Sequence, residues 1–386
     1  MNNTESPQSG LDRLQKGSLL VGAVALALSV GGAFRSPTQF FRSYLFAFVF
    51  WVGVALGCSA ILMLHHLVGG RWGFALRRCL ESGSRTFYLM AVLAAPLLFG
   101  LRFLYSWADP AKVRLDPMLQ YKAPYLNVPF FVARTAIYFI IWITVAHFLN
   151  QWSREQDQTA EAGLTRRLQN LSAPGLVVFA LTVTFASLDW VMSLEPHWYS
   201  TIYGMIFMVT EGLAAMSIVT VAVLLLSSHE PLLSLLSKRV LNDYGNLLLT
   251  FTMLWAYLSF SQYLIIWSGN LQDEIPWYLS RASGGWAWVA LALIVFHFAV
   301  PFLLLLSRFV TRRKLWLGVV AAIQIAMSVV DIFWLTVPAF ERAGPQFHWL
   351  DWLAFGGVGG VWLWSFATNL KSRPFVPLHD PRWEAV

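Results

Sequence analysis

Charged side chains are scarce in this 386-residue sequence: 12% of the chain, against 57% hydrophobic and 16% aromatic residues. An average soluble chain carries about twice that charge, so the shortage excludes a pair of ordinary soluble domains and predicts an integral membrane protein. Cysteine is nearly absent. Cys58, inside an apolar run, and Cys79, between two runs, lack the number and spacing for a disulfide framework, a zinc site or a thiolate-held cluster, and no metal site is expected. There is no glycine-rich phosphate loop, which argues against direct ATP use by this chain. The eight histidines, at 65, 66, 147, 197, 229, 297, 348 and 379, lack the repeated long intervals of a bis-histidine haem b pair. A net charge of +7 usually suggests a polyanion partner, yet most of the basic residues sit in short stretches between apolar runs. They read as topology, and nucleic acid is not an expected partner.

What the chain has in abundance is long apolar runs. Ten can cross a bilayer, at about 20 residues per crossing: 17–34, 41–68, 86–108, 126–149, 174–195, 199–227, 245–268, 285–307, 315–338 and 350–369. An unsatisfied backbone is not tolerated in lipid, so these runs predict an all-α integral membrane fold of about ten transmembrane helices. They form one membrane domain, 17–369, between an N-terminal tail 1–16 and a Pro-punctuated C-terminal tail 370–386. The first run has signal-peptide length but no small-residue cleavage site, and is read as a helix. Glu195-Pro196-His197-Trp198 must reverse the chain between the fifth and sixth spans. Gly53-x-x-x-Gly57 and Gly356-x-x-x-Gly360 predict close helix packing, mainly within the chain. Eighteen Lys and Arg fall on the side of the termini and seven on the other, with Arg102 and Arg134 inside spans. The asymmetry predicts a multi-pass membrane protein with both termini cytoplasmic.

Ionisable groups inside the spans are the candidate functional residues, because each costs about 2.5–3.5 kcal/mol to insert. Arg102, Arg134, Asp189 and Asp331 share the outer third, either as structural ion pairs or as a polar floor beneath a headgroup or proton exit. Glu211 lies near the middle of the sixth span with Thr210 beside it and no cation at its depth, which makes it the leading proton-exchange candidate. His297 lies at similar depth, and Pro301 removes the helical donor of its carbonyl and predicts a kink. His65, His66 and His147 sit at the cytoplasmic ends of their spans, singly as interfacial histidines and together as an inner mouth. The path they sketch runs from these histidines through His297 and Glu211 to Asp189 and Asp331.

Two stretches are more specific than hydropathy. The run Ala186-Ser187-Leu188-Asp189-Trp190-Val191-Met192-Ser193-Leu194-Glu195-Pro196-His197-Trp198-Tyr199-Ser200-Thr201, and the run from Phe260-Ser261-Gln262-Tyr263 through Asp273-Glu274-Ile275-Pro276-Trp277-Tyr278, resemble the ActF-type membrane subunits of alternative complex III. These are relatives of the NrfD-like subunits of polysulfide-reductase-type enzymes. The resemblance covers most of the chain and implies two four-helix bundles, spans two to five and six to nine, with peripheral first and last helices. It implies a subunit of a quinol:cytochrome c or quinol:acceptor oxidoreductase of the respiratory chain, in a bacterial inner membrane. Its partners would be a homologous quinone-binding membrane subunit, an iron–sulfur subunit and c-type haem subunits, with a c-type cytochrome or terminal oxidase as acceptor. Menaquinol would be bound in or near this chain, the sister subunit being the better candidate for the working site. The redox centres would lie in partners, leaving this chain with lipids, no catalytic residue and no resident cofactor. Asp189, Trp190, Tyr199, Tyr203, Gln262 and Tyr263 are the residues that would flank a headgroup, although Trp and Tyr also populate interfacial belts. The alternative is a stand-alone secondary transporter, for which Pro96 and Pro301 would mark broken helices, though no internal repeat accompanies them.

Overall fold

A computed structural model describes residues 7–159, 161, 163–228 and 230–381, which contain helices and turns and no strand. The outermost parts of both predicted tails, Arg382 among them, lie outside these residues. The principal helices are α1 (Pro7–Ala33), α2 (Pro37–Val68), α3 (Arg71–Ser84), α4 (Phe87–Phe99), α5 (Val128–Thr159), α6 (Gly163–Trp190), α7 (Tyr203–Leu226), α8 (Lys238–Gly269), α9 (Ile275–Ala282), α10 (Trp286–Leu305), α11 (Lys314–Thr336) and α12 (Trp349–Lys371). Among the described residues nine helical stretches are long and apolar enough to cross a membrane, with α3 and α4 forming one of them. The last predicted span is α12, a 23-residue helix whose glycines, tryptophans and Asp351 keep it outside those nine.

Several helices outrun their apolar cores. α1 starts at Pro7, inside the predicted tail, and α5 and α6 extend until only 160–162 separate them, where a long connection, 150–173, was expected. Polar residues that end a hydrophobic run need not end a helix, since the backbone bonds continue into the headgroup layer. The largest difference is α3. Residues 69–85 read as a basic loop, yet Gly73–Ser84 are buried throughout. Their charge hid a helix that packs antiparallel to α2.

α2 is apolar on every face, and 94% of its apolar window is buried, as a helix hydrophobic all round requires. It contacts α3, α6, α7 and α12. α4 packs on α5, α5 on α6 and α6 on α2, while α7 packs on α8 and α11, α8 on the second half of α10, and α10 on α11. α7 joins the two sets by lying against both α2 and α6. α1 lies along α12, where a Cβ on Gly360 would come within 2.6 Å of Gly22 Cα. Gly356 faces open space, so of the predicted glycine pair on α12 only Gly360 makes the close approach.

The C-terminal tail docks. Lys371 pairs with Asp12, Arg373 with Glu81 at 3.1 Å and Asp380 with Arg77 at 2.8 Å, so the described ends of the chain meet at one end of the helices, the terminal face. The opposite end is the far face.

Candidate functional site

Glu211 sits where α7 crosses α2. The two glycines of α2, one turn apart, leave a groove that its side chain fills: a Cβ on Gly53 would meet Glu211 Cγ at 2.9 Å, and one on Gly57 would strike the Glu211 carbonyl and stand 2.6 Å from Ala215 Cβ. Gly53-x-x-x-Gly57 thus serves intrachain packing, and its occupant is the carboxyl group itself. Glu211 is 2% exposed, and neither carboxyl oxygen has a hydrogen-bond partner among the described residues. A lone charge in such surroundings costs several kcal/mol.

Thr210, the adjacent residue, turns toward α11 and donates to Asp331 Oδ2 at 2.8 Å, and Trp255 Nε1 of α8 donates to the same oxygen at 3.0 Å. The Trp255 ring meets His297 edge to face, with centroids 4.5 Å apart. His297 lies in a seven-residue π-helical stretch, Leu293–Ala299, inside α10. The kink expected from Pro301 is therefore a π-bulge, a feature frequent at functional sites. Gln324 of α11 donates to the His297 carbonyl at 3.2 Å and to Thr252 Oγ1 at 2.8 Å. Gln324, Ser328 and Asp331 share one face of α11 by their i, i+4, i+7 spacing. Ser328 Oγ, Thr220 Oγ1 and Tyr244 OH are buried without a hydrogen-bond partner among the described residues, and the His297 ring lies within reach of the Gln324 side chain. Such groups are normally satisfied by protein or ordered water. Thr220 lies nine residues beyond Glu211 on α7, about 13 Å toward the terminal face.

The remaining predicted residues divide. Arg134 and Asp189 form a two-pronged pair, Nε–Oδ2 and Nη2–Oδ1 both 2.8 Å, and Tyr138 donates to Oδ2 at 2.7 Å. Arg102 does not join them: it is exposed and has no ion pair among the described residues, while Asp331 is held by a threonine and a tryptophan. The four-residue ion-pair layer is thus one pair, because equal depth does not make helices face each other. His65 and His66 are buried at the end of α2, His65 between Trp72 and Phe74 and hard against Gly73. His147 lies on the exposed face of α5, its Nδ1 3.0 Å from Tyr88 OH, away from a shared inner mouth with His65 and His66. Of the proton-relay candidates the structure therefore brings Asp331 and His297 together on Trp255, while the Glu211 carboxyl faces α2, beside Thr210 in the chain. Asp189 is in the other helix set.

Around the quinone candidates, Trp190 and Tyr203 are buried and Tyr199 and Tyr263 are exposed. Gln262 accepts from Ser200 at 2.7 Å and donates to Tyr278 at 3.3 Å. A cavity of about 80 Å³ lies beside Tyr199 and Gln262, well below the ~300–1,000 Å³ of ordinary ligand sites. A cleft of about 390 Å³ opens on the far face, floored by Trp198 and Trp277 stacked at 4.6 Å.

Two charged constellations escaped the sequence reading. Arg77 and Arg78 are buried and share Glu81, with Asp157, Asp380 and Ser153 completing the network. On the far face Arg281, counted as a loop cation, is 1% exposed, pairs with Glu195 at 2.8 Å and lies 3.8 Å from the Trp277 ring. The i, i+3 and i, i+4 spacing of Arg78 and Arg77 to Glu81 was the available signal. Nothing local marked Arg281, whose partner is 86 residues away. The assignment of the site rests on this geometry, since no protein-family model and no curated protein matches the chain.

Proposed function

We propose that this chain is an integral membrane subunit of a quinol-oxidising respiratory assembly of the alternative complex III type, in which α7, α8, α10 and α11 handle protons through Glu211. The observation that carries the proton-handling reading is the Glu211 carboxyl group, buried in a glycine groove with both oxygens unpartnered among the described residues. A charge there must be hydrated, paired or absent, and a carboxylic acid can alternate between these states as it takes and releases a proton. Asp331, level with Glu211 through Thr210, continues the path toward the far face, and His297, beside Gln324 and about 10 Å nearer the terminal face than Asp331, leads with the Thr220 and Tyr244 hydroxyls toward that face, where the predicted mouth had enlisted His65, His66 and His147.

The assembly reading rests on the two signature stretches. They interlock: Ser200 bonds Gln262, Trp198 stacks on Trp277, and Arg281, just beyond the second, reaches Glu195. A rigid far face of this kind suits the docking of redox partners. On this reading the two helix sets are the two four-helix bundles, α12 is the tenth span, the far face is periplasmic, and menaquinol binds in the sister subunit, since the Gln262 cavity is small. The transporter alternative fares less well, because such transporters carry an internal repeat. Here the third span breaks near Pro96 and Gly100 and the eighth at its π-bulge, each third in its half of the ten, but no sequence repeat accompanies the match.

The test is Glu211→Gln in the purified assembly, reconstituted in proteoliposomes. Electron transfer from quinol should persist while coupled proton translocation falls. An unchanged proton-to-electron ratio, with the wild type shown to pump, would reduce Glu211 to a packing residue. A haem-coloured multisubunit complex in mild detergent supports the assembly, whereas a colourless homo-oligomer supports the transporter. Reporters in the 112–122 and 155–165 loops should lie on opposite sides of the membrane, the second cytoplasmic.

A further inference from the structure

At the terminal face the buried charge network leaves one cation over. Arg77, Arg78 and Arg373 all converge on Glu81, at 2.9, 2.6 and 3.1 Å, and Ser153 donates to the same carboxylate. Asp157 and Asp380 are taken by Arg78 and Arg77. Arg85, one turn beyond Glu81 and half-buried, therefore makes no ion pair among the described residues: its bond is to Ser372 Oγ at 3.1 Å. Glu81, already shared by three arginines, lies within electrostatic range of it, and Arg154 and Arg373 add opposing positive field. Beside this arginine Lys371, Ser372, Arg373, Pro374 and Phe375 line a concavity of about 330 Å³.

Depth identifies what fits. Tyr88, one turn from Arg85, is 47% exposed and hydrogen-bonds His147, as an aromatic at the headgroup level does. Beyond it Val92 and Phe99 of α4, 68% and 83% exposed, offer an apolar track at the depth of acyl chains. An anion held at Arg85 with hydrocarbon lying along α4 is a phospholipid, not a free oxyanion.

We propose that the phosphate of an anionic phospholipid headgroup binds between Arg85, Ser372, Lys371 and Arg373, tying the docked tail to α3 and α4. Basic pockets between helices at an interface recognise such headgroups. The experiment uses the full chain, purified in mild detergent with its copurifying subunits and stripped of lipid. Thermal stability is titrated with dioleoyl phosphatidylglycerol, dioleoyl phosphatidylcholine and inorganic phosphate. Phosphatidylglycerol should stabilise at several-fold lower concentration than phosphatidylcholine, and phosphate should have little effect. Arg85→Gln should raise the phosphatidylglycerol requirement about fivefold, the worth of one interfacial cation. Equal stabilisation by the two lipids, or unaltered discrimination in Arg85→Gln, would overturn the proposal. Phosphate acting as well as phosphatidylglycerol would replace the lipid by a free-phosphate site. Should Arg85→Gln not be recovered, a photoactivatable phosphatidylglycerol on the wild type decides: labelling of residues 371–375 or of α4 supports the site, and labelling confined to other helices refutes it.

Discussion

Removing Arg134 should expose the worth of its pair with Asp189. Asp189 is fully buried, and Arg134→Leu would leave its carboxylate, among the described residues, with the Tyr138 hydroxyl at 2.7 Å and the nearby Tyr125 hydroxyl and no cation. Breaking a buried pair from one side costs about 3–5 kcal/mol, or about two to nearly four powers of ten in the folded ratio at ~1.4 kcal/mol each. Asp189→Asn should cost less. Arg134 would keep the Tyr125 carbonyl at 2.9 Å and the faces of Tyr125 and Phe130, 3.8 and 4.2 Å from its guanidinium carbon. The loss is then that of charge-assisted hydrogen bonds, about 1.5–3 kcal/mol. The double variant buries no unpaired charge and should be more stable than Arg134→Leu alone, with a coupling of at least about 2 kcal/mol. Equilibrium unfolding of the four proteins in mixed micelles, titrated with sodium dodecyl sulfate, measures this directly. Single effects that add to within about 0.5 kcal/mol would show that the two residues contribute separately and that the reasoning from their geometry fails.

The same titration distinguishes the glycines. Gly57→Ala and Gly360→Ala should destabilise, since each new Cβ meets neighbouring atoms it cannot clear, whereas Gly356→Ala, facing open space, should be neutral or stabilising by up to about 1 kcal/mol; equal effects at all three would contradict the packing. Asp380→Asn should loosen the docked tail by weakening its hold on Arg77, seen as faster tryptic cleavage after Lys371, and an unchanged rate would mean that Arg373 alone secures it. In the far-face loop, burial pushes the Asp116 carboxyl up, but the amides of Leu119 and Met118 and the nearby His197 outweigh this and hold it below its usual range. Its contribution is thus present above about pH 4 and lost as acid titrates it through the lowered value. Asp116→Asn should mimic that loss at neutral pH, with faster tryptic cleavage after Arg114; unaltered cleavage would place the loop's order elsewhere.

Hydropathy located the helices well because lipid leaves a spanning backbone no other option, and it failed where charge and burial coincide. α3 illustrates the failure: Arg77, Arg78 and Glu81 lower the apolar signal of a segment that is nevertheless interior, since its charges are satisfied by α5 and the tail. Glu211 was legible as an isolated mid-span carboxyl, and Gly53 and Gly57 as a small-residue pair. That the one fills the groove of the other was not, because neither periodicity nor depth gives the rotation of one helix against another.

The sequence by itself determined the helical membrane class, the places of the principal spans and the short list of intramembrane ionisable groups, because insertion cost and backbone satisfaction are properties of each segment alone. Only the tertiary structure decided which of those groups meet. It paired Arg134 with Asp189 and left Arg102 outside, gave Asp331 to Thr210 and Trp255, set Glu211 against two glycines and returned Asp380 to Arg77 across 303 residues of chain. Depth along a helix follows from counting at 1.5 Å per residue. Facing depends on how whole surfaces pack, a property no single segment carries.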